Sequence, residues 1–178
     1  MNTKYLFSVI LFVFSLIVAN QLNEKIISKH LDGFKNFLDK KFIGEFYNST
    51  KQKPLIDIIH FERILNGTAI SISHSINHGE YGGKSIIMWN SKTQKLESYY
   101  FSTGGEILYS KVTTDNGQII MVEDFSNNNN GIQKVKKIYR IKENNKLENQ
   151  IKYFMNNIWV NSHEMTYSES DSVDVIFK

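Results

Sequence analysis

Asp57, His74 and His78 are the residues of this chain whose types and spacing best suit acid–base chemistry. All three share one face of a predicted hairpin, where Asp57 is diagonal to both histidines at a separation that long side chains bridge. A carboxylate beside an imidazole can orient a general base. A nucleophile is missing from the pattern, because the alternate serines of the second strand project from the opposite face and no Gly-X-Ser-X-Gly sequence occurs. A satisfied polar pair is therefore the first interpretation, and a hydrolase or isomerase is the alternative.

The histidines of this hairpin do not form a metal site. Four strand residues separate His74 from His78 by roughly 13 Å, at about 3.3 Å per residue, whereas imidazole–zinc bonds are about 2 Å long. His60 lies on the opposite face. The chain contains no cysteine, which excludes a thiolate site, a disulfide framework and a thiol nucleophile. We expect neither a metal nor another cofactor.

The dipeptide Asn66-Gly67 sets the register of the hairpin, because it favours a two-residue type I′ turn that pairs Leu65 with Thr68. One face then combines large apolar residues with a few polar ones, as ligand cavities do, and we expect it to face the interior. The other face has isoleucines of its own, so the choice between the faces stays open. The candidate ligand-binding residues on the first face are Asp57, Ile59, Phe61, Arg63, Ile72, His74 and His78.

From Phe42 onward the hydrophobic period is two, and turns rich in Gly and Asn interrupt it at the regular spacing of an all-β meander. Short connections favour hairpins between consecutive strands, and closure into an up-and-down antiparallel barrel removes the sheet edges. The sequence predicts ten strands, near residues 42–48, 55–65, 68–78, 84–89, 95–102, 106–114, 117–125, 133–142, 146–155 and 158–168.

An amphipathic helix is predicted ahead of the barrel, over residues 20–41. Its apolar residues recur mostly at intervals of four, although Gly33 weakens the middle of the segment. We expect this helix to pack on the core or to close one end of the barrel. The apolar residues that define it are Leu22, Ile26, Leu31, Phe34, Leu38 and Phe42.

The first residues form a signal-peptide pattern, in which Lys4 precedes an apolar run that ends at Ala19. The run is shorter than the roughly 20 residues of a spanning helix, so we expect cleavage after Ala19 and export to the periplasm or the medium, without a stable membrane anchor. A retained anchor is the alternative. The predicted organisation is a signal peptide (1–19), the helix (20–41), the barrel (42–170) and a tail (171–178).

Cleavage removes Lys4 and no acid, so the net charge of +3 falls to +2. That charge is too small for the basic field of a nucleic-acid-binding protein, and no such partner is expected. The oligomeric state cannot be read from the sequence.

Four short motifs carry a family resemblance over most of residues 35–168. They are Gly44-Glu45-Phe46, the stretch 63–69, Trp89-Asn90 with the residues up to Tyr99, and the stretch 159–167. In this order they resemble a lipocalin-like domain family of unknown function in exported bacterial proteins, related in shape to lipocalins and to haem-binding nitrobindin barrels. Phe46 stands where such proteins carry a tryptophan, which implies a place in an end-capping cluster. No histidine matches the nitrobindin haem ligand, so the resemblance brings no haem to this chain.

These observations lead to an exported barrel that binds a small apolar or amphipathic molecule in its interior. The Asp57–His74 enzyme is the alternative from another class. A third interpretation is a barrel filled by its own side chains, which acts as a protein-interaction module, since an aromatic content of 13% suffices to fill it.

Overall fold

A computed structural model describes residues 26–125 and 131–178 of the chain. The predicted signal peptide and the first residues of the predicted helix, 20–25, lie outside these ranges. The described residues form ten strands: β1 (Lys40–Glu45), β2 (Ile56–Ile64), β3 (Ala69–Ile76), β4 (Tyr81–Asn90), β5 (Lys95–Ser102), β6 (Ile107–Asp115), β7 (Gln118–Asp124), β8 (Lys134–Ile141), β9 (Leu147–Met155) and β10 (Ile158–Glu169).

The ten strands make one closed antiparallel barrel, in which each strand pairs with its neighbours in sequence and β1 also pairs with β10. The seam between β1 and β10 joins Phe42 with Glu169 and Gly44 with Tyr167. Closure leaves no sheet edge open to another chain. The predicted all-β, up-and-down barrel of about ten strands is confirmed.

The hairpin of β2 and β3 has the predicted register, from the pair Asp57–Ile76 to the pair Ile64–Ala69. The turn has positive φ at Asn66 (53°) and Gly67 (81°), as a type I′ turn requires. Leu65 also has a positive φ, of 49°. The predicted pair Leu65–Thr68 therefore lies outside the strand ladder and is joined by a turn hydrogen bond from the Thr68 amide to the Leu65 carbonyl.

The first face of this hairpin lies inside the barrel, as expected. Ile59, Phe61, Ile70 and Ile72 are all at most 4% exposed and belong to one core cluster. The serines of β3 are buried on the outer face, where the hydroxyls of Ser71 and Ser73 lie 3.3 Å apart.

The predicted amphipathic α-helix is absent from the described residues 26–41. The chain instead forms a short 3₁₀ helix, Lys29–Phe34, followed by turns up to Asp39. The fully buried residues are Leu31, Phe34 and Phe37, at a spacing of three. This spacing suits a 3₁₀ helix, in which side chains at i and i+3 eclipse. No described helix is long and apolar enough to span a membrane.

Residues 27–39, which we call the capping segment, cover one end of the barrel. The Ser28 amide donates to the Gly67 carbonyl at 2.8 Å, and the Asp39 amide donates to the Phe61 carbonyl at 2.8 Å. The imidazole of His30 stacks on Trp89 with ring centroids 3.9 Å apart. We call this the closed end. The opposite end, where β1–β2, β3–β4, β5–β6, β7–β8 and β9–β10 connect, is the mouth.

Residues 170–178 form a strap over the outer face of the sheet. The Ser170 amide donates to the Lys41 carbonyl at 2.9 Å, and the Lys41 ammonium pairs with Asp174 at 2.6 Å. Further along, the Ile176 amide donates to the Ser75 hydroxyl at 3.1 Å. The strap therefore runs from the seam toward β3.

Gly67→Ala should destabilise the chain more than Gly117→Ala. Both glycines have positive φ, which costs an L residue about 1–2 kcal/mol. Beyond that strain, a Cβ on Gly67 would lie 2.0 Å from the Ile26 carbonyl oxygen, whereas a Cβ on Gly117 meets nothing within 4 Å. Urea denaturation measures both losses. Equal losses would show that the chain at Ile26 does not lie against this turn.

Candidate ligand cavity at the barrel mouth

A cavity of about 380 Å³ occupies the mouth half of the barrel. Its floor includes the rings of Tyr139 and Tyr167, both buried in the core cluster. Beyond this floor, the Phe61 ring meets Tyr139 edge-on at 5.6 Å, and the closed half is filled. The lining residues are Phe46, Asp57, Ile59, His74, Leu108, Glu123, Phe125, Ile132, Val135, Lys137, Tyr139, Asn149, Ile151, Tyr153, His163, Met165 and Tyr167.

A buried carboxylate organises the polar side of the cavity. Asp57 Oδ2 accepts a hydrogen bond from the Tyr167 hydroxyl at 2.9 Å, and Asp57 Oδ1 lies 3.2 Å from His74 Nδ1. His74 Nε2 lies 2.9 Å from the Tyr100 hydroxyl. The Tyr100 hydroxyl in turn donates to the Tyr81 hydroxyl at 3.5 Å, so a chain of polar contacts runs from Tyr167 through Asp57, His74 and Tyr100 to Tyr81. Both ring nitrogens of His74 are thus engaged.

Gly44 makes room for this arrangement. Gly44 and Asp57 are directly paired across β1 and β2, and Gly44 is also paired with Tyr167 across the seam. A Cβ on Gly44 would lie 2.5 Å from the Tyr167 ring. The missing side chain therefore lets the Tyr167 ring lie against β1, from where its hydroxyl reaches Asp57.

Burial raises the pKa values of the tyrosine hydroxyls around this carboxylate. It is the main cause for Tyr100, Tyr139 and Tyr167, and the negative charge of Asp57 adds to the shift of Tyr139 and Tyr167. These hydroxyls therefore stay protonated at neutral pH. They supply hydrogen-bond donors, and none of them is an activated nucleophile.

Lys137 and Glu123 put opposite charges into the cavity from neighbouring strands. Burial raises the pKa of Glu123, against the effect of Lys137, and burial lowers the pKa of Lys137, against the effects of Glu123 and Asp57. Within the described ranges no ion pair within 4.0 Å joins them, and the Lys137 ammonium lies 5.3 Å from the centre of the Tyr100 ring. Both groups are thus available to a polar group of a ligand.

A β-bulge turns His163 toward the cavity. The register of β9 and β10 shifts between Asn161 and His163, so that His163 faces Ile151, another lining residue. Bulges re-aim side chains in this way and are frequent beside binding sites. Burial lowers the pKa of His163, and the ammonium of Lys137 lowers it further, so the imidazole is neutral at neutral pH.

The structure brings together three of the seven predicted site residues, because Asp57, Ile59 and His74 line the cavity. Phe61 and Ile72 lie deeper, in the filled core. Neither residue lines the cavity, because its floor separates them from the mouth.

The two remaining candidates lie away from the cavity. The guanidinium of Arg63 is at the closed end, 3.7 Å from Asp39 of the capping segment. His78 lies in the β3–β4 turn with a positive φ of 58°, where the alternation of the strand has ended. It lines a groove of about 470 Å³ on the outer face, together with Ile56, Ile58 and Val173 of the strap.

The outer groove is larger than the cavity, but strands do not enclose it. Loop residues Gln52 and Lys53 and the turn residue Asn77 form much of its wall. Seven of the ten strands line the cavity, which combines apolar walls with convergent polar groups, and this is the usual composition of a small-molecule site. We therefore take the cavity as the candidate site.

Phe46 lies at the mouth end of the barrel and packs against the core cluster. The resemblance implies a place in an end-capping cluster, and β1 starts beside the capping segment at Lys40 and ends at the mouth. Phe46 follows the mouth end of β1 and lines the cavity. Leu31 and Phe34 of the capping segment cover the closed end.

Sequence reasoning missed Glu123, Lys137 and His163. The alternation of β7 and β8 puts Glu123 and Lys137 on the interior face. The hydrophobic pattern of these two strands could therefore have identified both residues as interior. The orientation of His163 depends on the bulge at residues 161–163, which the sequence pattern does not reveal.

The arrangement does not resemble a metal centre, since no cluster of three His, Asp or Glu side chains within the described ranges could hold an ion. No known protein-family model matches the chain. A search of curated proteins likewise finds no significant match.

Phe61→Ala should cost about 3–5 kcal/mol of unfolding free energy, as expected of a fully buried ring. Leu108→Ala, on the cavity wall, should cost less than the ~2–5 kcal/mol of a core leucine, because open space already borders its side chain. Chemical denaturation of both variants checks this order. The reverse order would mean that the cavity extends to Phe61.

Glu123→Gln should stabilise the chain at about pH 8 and have little effect at about pH 3.5. The folded pKa of Glu123 is raised, so the stability linked to its protonation is complete below the unfolded pKa and is lost as the pH rises through the folded pKa. Glutamine removes this loss because it cannot ionise. Glu164→Gln on the outer face is the control. Destabilisation by Glu123→Gln at high pH would show that the ionised carboxylate is stabilised by Lys137.

Proposed function

We propose that this chain is an exported binding protein that holds a small amphipathic molecule in the mouth cavity. The apolar part of the ligand packs against Leu108, Val135 and Ile151. Its polar group meets Lys137 and Glu123.

The observation that carries this proposal is the division of the barrel interior. The closed half is packed with side chains, while the mouth half keeps about 380 Å³ of space between apolar walls. That volume lies within the usual range of about 300–1,000 Å³ for small-molecule sites. A barrel that acted only through its surface would gain no stability from such a space, since an unfilled volume forfeits packing contacts.

The polar groups favour an amphipathic ligand over a purely apolar one. Among the described residues, neither Glu123 nor Lys137 forms an ion pair within 4.0 Å, and a buried polar group costs free energy unless it is hydrogen-bonded. A ligand with a hydroxyl, amide or carboxyl group at one end would supply that hydrogen bond. The resemblance to lipocalin-like exported proteins, together with the apolar run that ends at Ala19, supports export and a binding role.

An enzyme built on Asp57 and His74 is the second candidate, and their 3.2 Å contact is the observation in its favour. A general base must reach the proton that it removes. Here Nδ1 of His74 faces Asp57 and Nε2 faces the Tyr100 hydroxyl at 2.9 Å. Because neither nitrogen is left for a substrate, binding is the better-supported function.

Val135→Trp should abolish uptake of the fluorescent probe N-phenyl-1-naphthylamine, because the indole would occupy the cavity from the wall of β8. Val122→Trp, on the outer face of β7, is the matched control and should leave uptake unchanged. Probe fluorescence and thermal unfolding are measured on the parent and both variants.

Two results would contradict the proposal. One is a parent protein that takes up no probe, and the other is a Val135→Trp variant that folds and binds the probe as well as the parent. If the tryptophan prevents folding, Val135→Phe provides a smaller obstruction, and the same comparison applies to it.

A further inference from the structure

Exposed apolar side chains gather at the mouth of the barrel. Six of them, which we call the apolar rim, are between 36% and 83% exposed and come from four of the segments that border the opening. At the closed end, Ile26, Leu65 and Met88 are comparable among the described residues. The rim residues are Tyr47, Tyr81, Phe101, Ile107, Ile158 and Trp159.

The rim surrounds the opening of the cavity. Phe101 and Ile107 are paired across the β5–β6 connection, Ile158 and Trp159 begin β10, and Tyr47 follows β1. The exposed pairs Phe101–Ile107 and Ile158–Trp159 are the contiguous parts of the rim, and contiguous exposed apolar groups are candidates for an interaction site. A planar apolar partner could contact these four segments at once, whereas a flat patch on one side of the barrel would need only a local partner.

A group of lysines lies beside the rim on the outer faces of β8 and β9. Lys136 and Lys152 are directly paired across these strands, and like charges in that position destabilise a sheet. Lys134, two residues from Lys136, has one acidic partner, Asp124, at 3.6 Å. The Lys136–Lys152 pair therefore favours an added anion.

The same lysines adjoin the aromatic part of the rim. The Lys136 ammonium lies 4.0 Å from the centre of the Trp159 ring, and the Trp159 ring lies 5.1 Å from that of Phe154. Burial lowers the pKa of Lys136, and the charge of Lys152 lowers it further. Lysines next to tryptophan on an apolar surface are typical of segments that lie in the headgroup region of a bilayer.

We propose that the mouth docks on an anionic lipid surface. The apolar rim enters the headgroup layer, while Lys134, Lys136 and Lys152 bind lipid phosphates. The cavity then opens directly onto the lipid, so that an amphipathic ligand can enter it without crossing water. This last step rests on the proposed function, but the docking does not.

Co-sedimentation with vesicles tests the docking. The parent chain is mixed with phosphatidylcholine vesicles that contain 30 mol% phosphatidylglycerol or none. We expect binding to the anionic vesicles that weakens with added salt, since each lysine near such a surface contributes about fivefold to partitioning. Lys136→Gln with Lys152→Gln should weaken binding by about twentyfold. The control is Lys92→Gln with Lys95→Gln at the closed end, which removes the same charge and should leave vesicle binding unchanged.

The rim is tested by Ile107→Ser with Ile158→Ser, which change side chains that are 68% and 60% exposed and should leave thermal stability intact. We expect this double variant to lose most of its vesicle binding. Leu65→Ser, at 62% exposure on the closed end, is the control and should bind like the parent. Every variant keeps the same N-terminal residues, so the apolar run that ends at Ala19 contributes equally to each.

Docking is overturned if the parent does not bind anionic vesicles, or if the rim and control variants bind equally. It is also overturned if size-exclusion chromatography shows a dimer of the parent that the rim variants dissociate, because the rim would then be covered by a second copy. Probe uptake distinguishes this proposal from the proposed function. If the parent takes up the probe but does not bind vesicles, the cavity binds a ligand and the docking proposal is wrong.

Discussion

The seam between β1 and β10 closes the sheet and also builds the polar side of the cavity. Its pair nearest the mouth is Gly44 and Tyr167, and the missing side chain of Gly44 admits the Tyr167 ring against β1. That position brings the Tyr167 hydroxyl to Asp57, which in turn lies beside His74. One close backbone approach therefore fixes the closure of the fold and the orientation of a buried carboxylate whose hydrogen bonds offset the cost of its burial.

The capping segment explains why only one half of the barrel is open. Its side chains at intervals of three, Leu31, Phe34 and Phe37, enter the closed end and complete a core that reaches the Tyr139 ring. No comparable segment of the described residues enters the mouth, so the interior there remains a cavity with apolar walls. The two competing expectations of a filled barrel and an open barrel thus each describe one half of the molecule.

The strands, their order and the register of the β2–β3 hairpin could be predicted because alternation and turn residues are local signals. The sequence predicts an α-helix for the capping segment because Phe42, which belongs to β1, continues the apolar pattern at an interval of four from Leu38. Alternation in the β2–β3 hairpin predicts which of its side chains face the interior, and site residues are predicted from the sequence only for this hairpin. Phe61 and Ile72 share a face with Ile59, but depth along the barrel decides which of them borders open space. The alternation of β8 places Lys137 on the interior face with Val135 and Tyr139, whereas the orientation of His163 requires the bulge.

The central claim is that the mouth cavity holds an amphipathic ligand. A crystal structure with a bromine-labelled long-chain alcohol tests this claim most directly, because anomalous scattering locates the bromine even where the alkyl chain of the alcohol is poorly defined. The account predicts a bromine peak inside the mouth cavity, between Leu108 and Ile151, with the hydroxyl toward Lys137 or Glu123. A peak confined to the outer groove beside Ile58 and Val173, or a cavity that side chains have closed, would contradict it.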